Sequence, residues 1–200
     1  MLELAILGLL KERAMHGYQL KKRLADTLGG FWRVSYGSLY PALRRLQSEG
    51  AVEMVFPKDD VGRRKNVYRI TEKGEALFAE LLGRTGHEAS EDVGFPVRLA
   101  FFQYLKPETR LHLLERRRTY LEQRLDDIRQ SMATYRERMD GYVMSLMNHE
   151  AATTEHDIRW LDDLISAERR QTGGPGAGPQ KPGKPPRLRP PAVLPQKERA

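Results

Sequence analysis

Positively charged side chains are grouped at three places in the first 70 residues, and these groups are the part of the sequence whose chemistry can be named first. Residues 21–23 read Lys-Lys-Arg, residues 44–45 are two arginines, and residues 63–65 read Arg-Arg-Lys. Lysine and arginine neutralise the phosphates of nucleic acids, and arginine also forms paired hydrogen bonds with base edges. The sequence therefore predicts the binding of a polyanion in this region.

The net charge of +7 is divided unevenly along the 200 residues. Residues 1–74 contain 14 Lys and Arg against 8 Asp and Glu, whereas residues 75–171 contain 14 against 18. Residues 172–200 add 6 Lys and Arg against 1 Glu. A basic first third that precedes an acidic middle indicates two tasks, of which the first is contact with an anion.

Catalytic and metal chemistry have little support in the sequence. The absence of cysteine excludes disulfides, thiol chemistry and cysteine-based zinc sites, and His112, His149 and His156 have no carboxylates at a matching spacing. No nucleophile elbow, phosphate loop or dinucleotide fingerprint occurs.

The apolar run at residues 2–10 is too short to span a bilayer and lacks the basic start of a signal peptide. We expect a cytoplasmic protein that is not an enzyme and has no metal, cofactor or membrane partner.

Apolar spacing predicts three short helices in the first 50 residues. The first covers residues 2–10, and the second has a leucine at every fourth position from residue 20 to residue 28. The third has an apolar stripe from Leu39 to Leu46 and ends at Gly50. Two serines are candidates for its N-cap, and the sequence leaves both open.

The two N-cap candidates of the third helix differ in where they place Pro41. With Ser38 as the cap, the proline lies in the first turn, where its missing N–H does no harm. With Ser35 as the cap, the proline lies further in and should bend the helix.

Two strands with a basic tip between them follow the three helices. Apolar alternation predicts strands at residues 52–56 and 67–70, and residues 57–66 form a turn-rich segment. Thr71 can cap a fourth helix. Three helices followed by a basic hairpin form a winged helix-turn-helix, whose third helix enters the major groove while the wing reaches phosphates. The alternative is a winged-helix adaptor that binds an acidic protein.

The same segment resembles the PadR-type transcriptional regulators. The resemblance is carried by HGYQL at residues 16–20, SYGSLYPALRRL at 35–46, EG at 49–50 and YRIT at 68–71. Several spaced motifs over about the first 80 residues are more specific than any single one. The resemblance implies a dimeric, repressor-like DNA-binding protein that a small molecule often releases.

The resemblance also implies which side chains lie near DNA. Those residues are Tyr18, Ser35, Gly37, Ser38, Tyr40 and Arg44. We add Lys21, Tyr36 and the wing cations Arg63, Arg64 and Lys65 to the predicted DNA-binding set. For the two tyrosines at positions 18 and 40, packing in the core is the alternative.

A heptad pattern begins at Pro107 and is typical of a coiled-coil seam. A last helix at residues 154–170 offers a second apolar face, so the two can form an intramolecular hairpin, a subunit interface or both. We favour dimerisation, because two winged helices double the DNA contacts and read a palindrome; larger PadR-type members also carry a helical C-terminal pairing domain. The predicted dimer residues are Leu111, Leu114, Leu121, Leu125, Ile128, Met132, Tyr135, Trp160, Leu161 and Leu164.

The predicted fold is mainly α, with a winged helix-turn-helix and a two-stranded wing at residues 1–86. It is followed by a connector at 87–106, a helical dimerisation domain at 107–171 and a disordered Pro/Gly-rich basic tail at 172–200.

The candidates for an effector pocket are Phe101, Phe102, Tyr104 and Trp160, although core packing explains each more simply. The predicted function is a sequence-specific regulator, expected to repress from a palindromic operator as a dimer. The adaptor is the alternative, and a small helical enzyme is a remote third hypothesis.

Overall fold

The computed structural model describes residues 1–28, 34–55, 66–84 and 88–172, without the side chains of residues 88–93 and 172. The wing tip and residues 173–200 therefore lie outside the described residues, and so does the prediction of a disordered tail. Among the helices that the structure describes, none combines the length and the apolar character needed to cross a membrane.

Helix α1 (Leu2–Glu12) lies at the centre of the N-terminal unit. All seven residues from Leu4 to Leu10 are buried, because the sequence is apolar on every side of the helix. It contacts α2 (Gly17–Leu28), α3 (Tyr36–Ser48) and α4 (Glu72–Gly83). The predicted first helix is confirmed and ends two residues later than its apolar run.

Helices α2 and α3 each bury one leucine-rich stripe against α1. The leucines at positions 20, 24 and 28 of α2 are buried, as is the α3 stripe from Leu39 to Leu46. Ser35 is the N-cap of α3, since its Oγ accepts a hydrogen bond from the Ser38 N–H at 3.2 Å. Pro41 consequently lies in the second turn of the helix, as expected for this cap.

The sheet has three strands, one more than the predicted two-stranded wing. Strands β1 (Met15–His16), β2 (Val52–Val55) and β3 (Val67–Ile70) pair antiparallel in the order β1-β3-β2. In this register Met15 lies opposite Tyr68. A two-residue strand has no periodicity of its own, so only the pairing with β3 reveals it.

A close backbone approach joins α3, the sheet and α4. Gly50 ends the turn after α3 with φ of +72°, a conformation that suits glycine. Thr71 Oγ1 donates to the Gly50 carbonyl at 2.7 Å and accepts from the Gly74 N–H at 3.1 Å, which confirms Thr71 as the cap of α4. A Cβ on Gly74 would overlap the carbonyl oxygen of Ala51, so the start of α4 must carry a glycine here.

The predicted connector contains regular structure. Helix α5 (Glu88–Leu99) and a 3-10 turn (Phe102–Tyr104) occupy most of residues 87–106. Phe101 is buried in the N-terminal core, where its ring covers Gly8, and Phe102 is buried in a second core beside α6. The segment is helical because its apolar side chains are buried against both neighbouring units. Its polar, glycine-containing local sequence does not indicate this burial.

Helices α6 (Pro107–Tyr135) and α7 (Gly141–Thr172) form an antiparallel hairpin around a 3-10 turn (Arg136–Arg138). The structure buries five of the predicted dimer residues within a single chain: Leu114, Leu121, Leu125, Ile128 and Leu161. In this hairpin α6 and α7 cover each other, which agrees with the intramolecular alternative, and a subunit interface that includes these residues stays a prediction. The seam has the same period whether its partner is α7 or a second chain.

Candidate nucleic-acid interface

The first turns of α3 present polar and aromatic side chains to solvent. Ser35, Tyr36, Gly37 and Ser38 are exposed, whereas Leu39 is fully buried. This division follows from the helical period, since the stripe that begins at Leu39 faces α1 and leaves the opposite face free. A helix whose N-terminal residues are exposed in this way can be presented to a DNA groove.

Two tyrosines and a lysine form a stack that connects α2 with α3. The rings of Tyr36 and Tyr40 are 6.1 Å apart between centroids, with an angle of 20° between their planes. The Nζ of Lys21 lies 3.6 Å from the centroid of the Tyr36 ring. The structure therefore brings together three residues of the predicted DNA-binding set that the sequence places on two helices.

Beneath this stack lie two residues that the predicted DNA-binding set omits. A Cβ on Gly17 would lie 3.0 Å from the hydroxyl oxygen of Tyr40, so the start of α2 lies directly against that ring. Burial raises the pKa of the Tyr68 hydroxyl, nearby Tyr40 raises it further, and Arg44 has the opposite effect. Tyr68, on β3, thus lies close enough to Tyr40 and Arg44 for their charges to affect its hydroxyl. One sequence signal could have identified Tyr68. A tyrosine in a buried strand needs a polar partner for its hydroxyl, which indicates a polar site nearby.

The cations of the N-terminal unit divide into paired and unpaired sets. Arg23 pairs with Glu12 at 2.8 Å, and Arg45 pairs with Glu3 at 2.6 Å. Lys21 and Arg44, in the same two sequence groups, have no carboxylate within 4.0 Å in the part of the chain that the structure describes. Of these four cations, Lys21 is the one whose charged group lies over a tyrosine ring in the described segments. The wing cations at residues 63–65 lie outside the described residues.

The exposed fraction of each tyrosine decides between core packing and surface contact. Tyr18 is 68% exposed, which contradicts the core alternative for this residue. Tyr40 is 39% exposed and packs on one side against Gly17. Both rings are therefore accessible to a partner that approaches α2 and α3 together.

The four candidates for an effector pocket do not line one cavity. Phe101 and Tyr104 both pack edge-on against Phe78, at 5.9 and 5.5 Å between ring centroids. Phe102 and Trp160 instead contact Phe95, at 6.2 and 6.3 Å. Each pair thus belongs to a different core, which supports the simpler explanation of core packing. Among the described residues, no group of three His, Asp or Glu could hold a metal ion.

The far end of the hairpin exposes apolar side chains. Tyr142 is 90% exposed and Leu146 is 65% exposed, and Tyr135 and Val143 are also exposed. The Asp140 carboxylate accepts hydrogen bonds from the N–H groups of Tyr142 and Val143 and so fixes the start of α7. Of the predicted dimer residues, Tyr135 belongs to this exposed end, and Leu111, Met132, Trp160 and Leu164 are half-buried.

Comparisons with known proteins cover both halves of the described structure. Residues 6–80 match the model of the transcriptional regulator PadR-like family, and residues 94–168 match that of the virulence activator alpha C-term family. The negative transcriptional regulator PadR of Bacillus subtilis is 31% identical over 83 residues, which are 42% of this chain and 46% of that protein. The chain therefore spans less than half the length of this relative.

Two solved structures are also similar to this chain. Bacillus subtilis PadR in complex with operator DNA is 20% identical over 84% of this chain and 97% of its own, with a TM-score of 0.39. A PadR-like transcriptional regulator from Bacillus cereus is 35% identical over 40% of this chain and 75% of its own, with a TM-score of 0.35.

Proposed function

Because the chain belongs to the PadR-like family of transcriptional regulators, we propose that it recognises a palindromic operator as a homodimer and represses transcription there. The observation that carries this proposal is the division of cations in α2 and α3. Lys21 lies over the exposed Tyr36 ring and Arg44 is exposed on α3, and neither has a carboxylate partner among the described residues, whereas Arg23 and Arg45 are ion-paired. A cation without a carboxylate partner can bind phosphate or a base edge.

We propose different roles for the residues of α3. The major groove is about 12 Å wide and admits one helix, which contacts bases with its N-terminal residues. Ser35, Gly37 and Ser38 are at that end, and Arg44 lies two turns further along the exposed face. Arg44 is proposed to contact the major-groove edge of a guanine, because arginine donates two hydrogen bonds to O6 and N7 of that base. The wing cations at residues 63–65 keep their predicted role at phosphates.

Pairing is proposed to use the exposed end of the hairpin. The seam is buried between α6 and α7 of one chain, so it offers little surface to a second copy. Tyr142 and Leu146 remain uncovered at the start of α7, and Tyr135 at the end of α6 is also exposed. A contiguous exposed apolar patch can be an interaction surface, and we propose that these side chains form one. Release of DNA by a small molecule stays a prediction, because its candidate residues lie in two separate cores.

Selection of bound duplexes from a random pool tests the regulator against the adaptor. We expect one enriched sequence with two inverted half-sites about 10 base pairs apart, or a multiple of that spacing, because a two-fold dimer must meet equivalent faces of the duplex. A pool that remains random after repeated selection would support the adaptor instead. An enriched sequence without inverted symmetry would contradict the dimer.

Light scattering tests the pairing surface. The double variant Tyr142→Ser and Leu146→Ser should have half the wild-type mass and an unchanged helical circular dichroism signal, because both side chains are exposed in the single chain. The matched control is Asn148→Ser with His149→Ser, two exposed polar residues of the same helix, which should keep the wild-type mass. A wild-type mass for the first variant would exclude this surface.

A further inference from the structure

Lys21 is restrained by an aromatic ring rather than by a carboxylate. Its ammonium lies 3.6 Å from the centre of the Tyr36 ring, and no carboxylate lies within 4.0 Å of it in the described segments. Arg23, two residues further along α2, is instead paired with Glu12. We propose that Tyr36 is a positioning residue that holds the Lys21 ammonium at the junction of α2 and α3 for one phosphodiester of the DNA backbone. This inference rests on the proposed function.

The chemistry of the two restraints is different. A carboxylate neutralises the ammonium and competes with a phosphate for it, so the cation contributes less to DNA binding. The face of an aromatic ring attracts the cation through its quadrupole and leaves the full charge and the outward N–H donors available. A free lysine loses rotamer freedom when it binds a phosphate, and a ring that already restrains the side chain reduces this loss.

The Tyr36 ring is itself held in place by its neighbours. It stacks on Tyr40, and the Tyr40 hydroxyl lies against the backbone of Gly17 at the start of α2. The Ser35 cap fixes the backbone immediately before it. The ring thus belongs to α3 and the lysine to α2, so the contact also sets where the cation lies relative to the helix that enters the groove.

A double-mutant cycle on the full-length protein tests the inference with the enriched duplex as ligand. Lys21→Ala, Tyr36→Leu and the double variant are titrated alongside wild type. A cation over an exposed ring predicts a coupling of about two- to fivefold, so Lys21→Ala should weaken binding less in the Tyr36→Leu protein than in wild type. Tyr36→Phe keeps the ring and should keep the coupling.

Lys22 provides the matched control. It is exposed, has no ion pair among the described residues and lies over no ring there, so Lys22→Ala should show no coupling with Tyr36→Leu. NMR of the free protein gives a second readout without DNA. The ε-methylene protons of Lys21 should lie upfield of those of Lys22 in wild type and Tyr36→Phe, and return to the Lys22 position in Tyr36→Leu.

Additive effects of Lys21→Ala and Tyr36→Leu would overturn the inference. The inference also fails if Tyr36→Phe loses as much affinity as Tyr36→Leu, because the hydroxyl would then make the contact. A wild-type protein without preference for any duplex refutes the proposed function. A wild type that binds its duplex and shows additive effects refutes the role of Tyr36 alone.

Discussion

The winged-helix unit and the α6–α7 hairpin both contain many cations, yet they use them differently. In the hairpin, five arginines reach carboxylates on the opposite helix: Arg110–Glu168, Arg118–Asp162, Arg124–Glu150, Arg129–Glu155 and Arg169–Glu115. In the winged-helix unit, Lys21 and Arg44 have no such partner among the described residues. Cross-helix ion pairs therefore join α6 to α7, whereas Lys21 and Arg44 keep charges that no carboxylate neutralises among the described residues.

The two regions also differ in which apolar groups they expose. The winged-helix unit exposes Tyr18, Tyr36 and Tyr40, and the last two lie in the stack with Lys21. The hairpin exposes Tyr142 and Leu146 at its far end. Aromatic rings next to unpaired cations suit a polyanion with flat bases, whereas an apolar end suits another protein surface.

The largest expected effect concerns the seam of the hairpin. Leu125→Asp places a charge between α6 and α7 and should lower the free energy of unfolding by more than about 3 kcal/mol, because a buried charge without a partner is costly. Chemical denaturation followed by circular dichroism measures this. Gln123→Asp, on the exposed side of the same helix, is the control and should change stability by less than about 0.5 kcal/mol. Equal stability of the two variants would mean that the seam is not covered within one chain.

The second prediction compares two adjacent arginines of α3. Arg44→Ala should weaken binding of the enriched duplex by about 1 to 3 kcal/mol and affect other duplexes less, because it removes a base contact. Arg45→Ala should weaken binding of the enriched duplex by less than about 1 kcal/mol, because the Arg45 charge is already paired with Glu3. Fluorescence anisotropy of wild type and both variants, each with the enriched duplex and a scrambled duplex, measures the six affinities. Equal losses from the two substitutions would show that ion pairing does not identify the DNA-facing cations.

The smallest expected effect concerns a single ion pair of the hairpin. Glu155→Gln removes the carboxylate that Arg129 contacts at 2.8 Å and should lower the free energy of unfolding by about 0.2 to 1 kcal/mol at low salt. At 1 M salt the difference from wild type should vanish through screening. Asp163→Asn, an exposed carboxylate without an ion pair among the described residues, is the control. A larger loss that persists at high salt would show that the pair is not a surface interaction.

Much of the winged-helix unit could be predicted because its signals are local. The apolar stripes of α1, α2 and α3 have the helical period, and Thr71 stands where an N-cap is expected. Strand β1 could not be predicted, since two residues show no alternation and its pairing partner is about 50 residues away. Helix α5 was missed for a related reason, because Phe95 and Val97 find their partners in distant segments.

The candidate interface was predicted as a set of residues but not as an arrangement. Charge and motif spacing select Lys21, Tyr36 and Tyr40, yet nothing in the sequence places a lysine of α2 over a ring of α3. The partners that distinguish Arg44 from Arg45 are also distant in sequence, as Glu3 is on α1. Likewise, the period of the α6 seam is the same for an intramolecular and an intermolecular partner.

The unpaired cations of α2 and α3 are proposed to bind one particular DNA duplex in preference to others. Titration of the full chain with the enriched duplex and with a scrambled duplex of equal length, at several salt concentrations, tests this proposal in a single experiment. We expect an affinity ratio of about 10³ or more and a linear fall of log K with log salt. Equal affinity for the two duplexes at every salt concentration would contradict it.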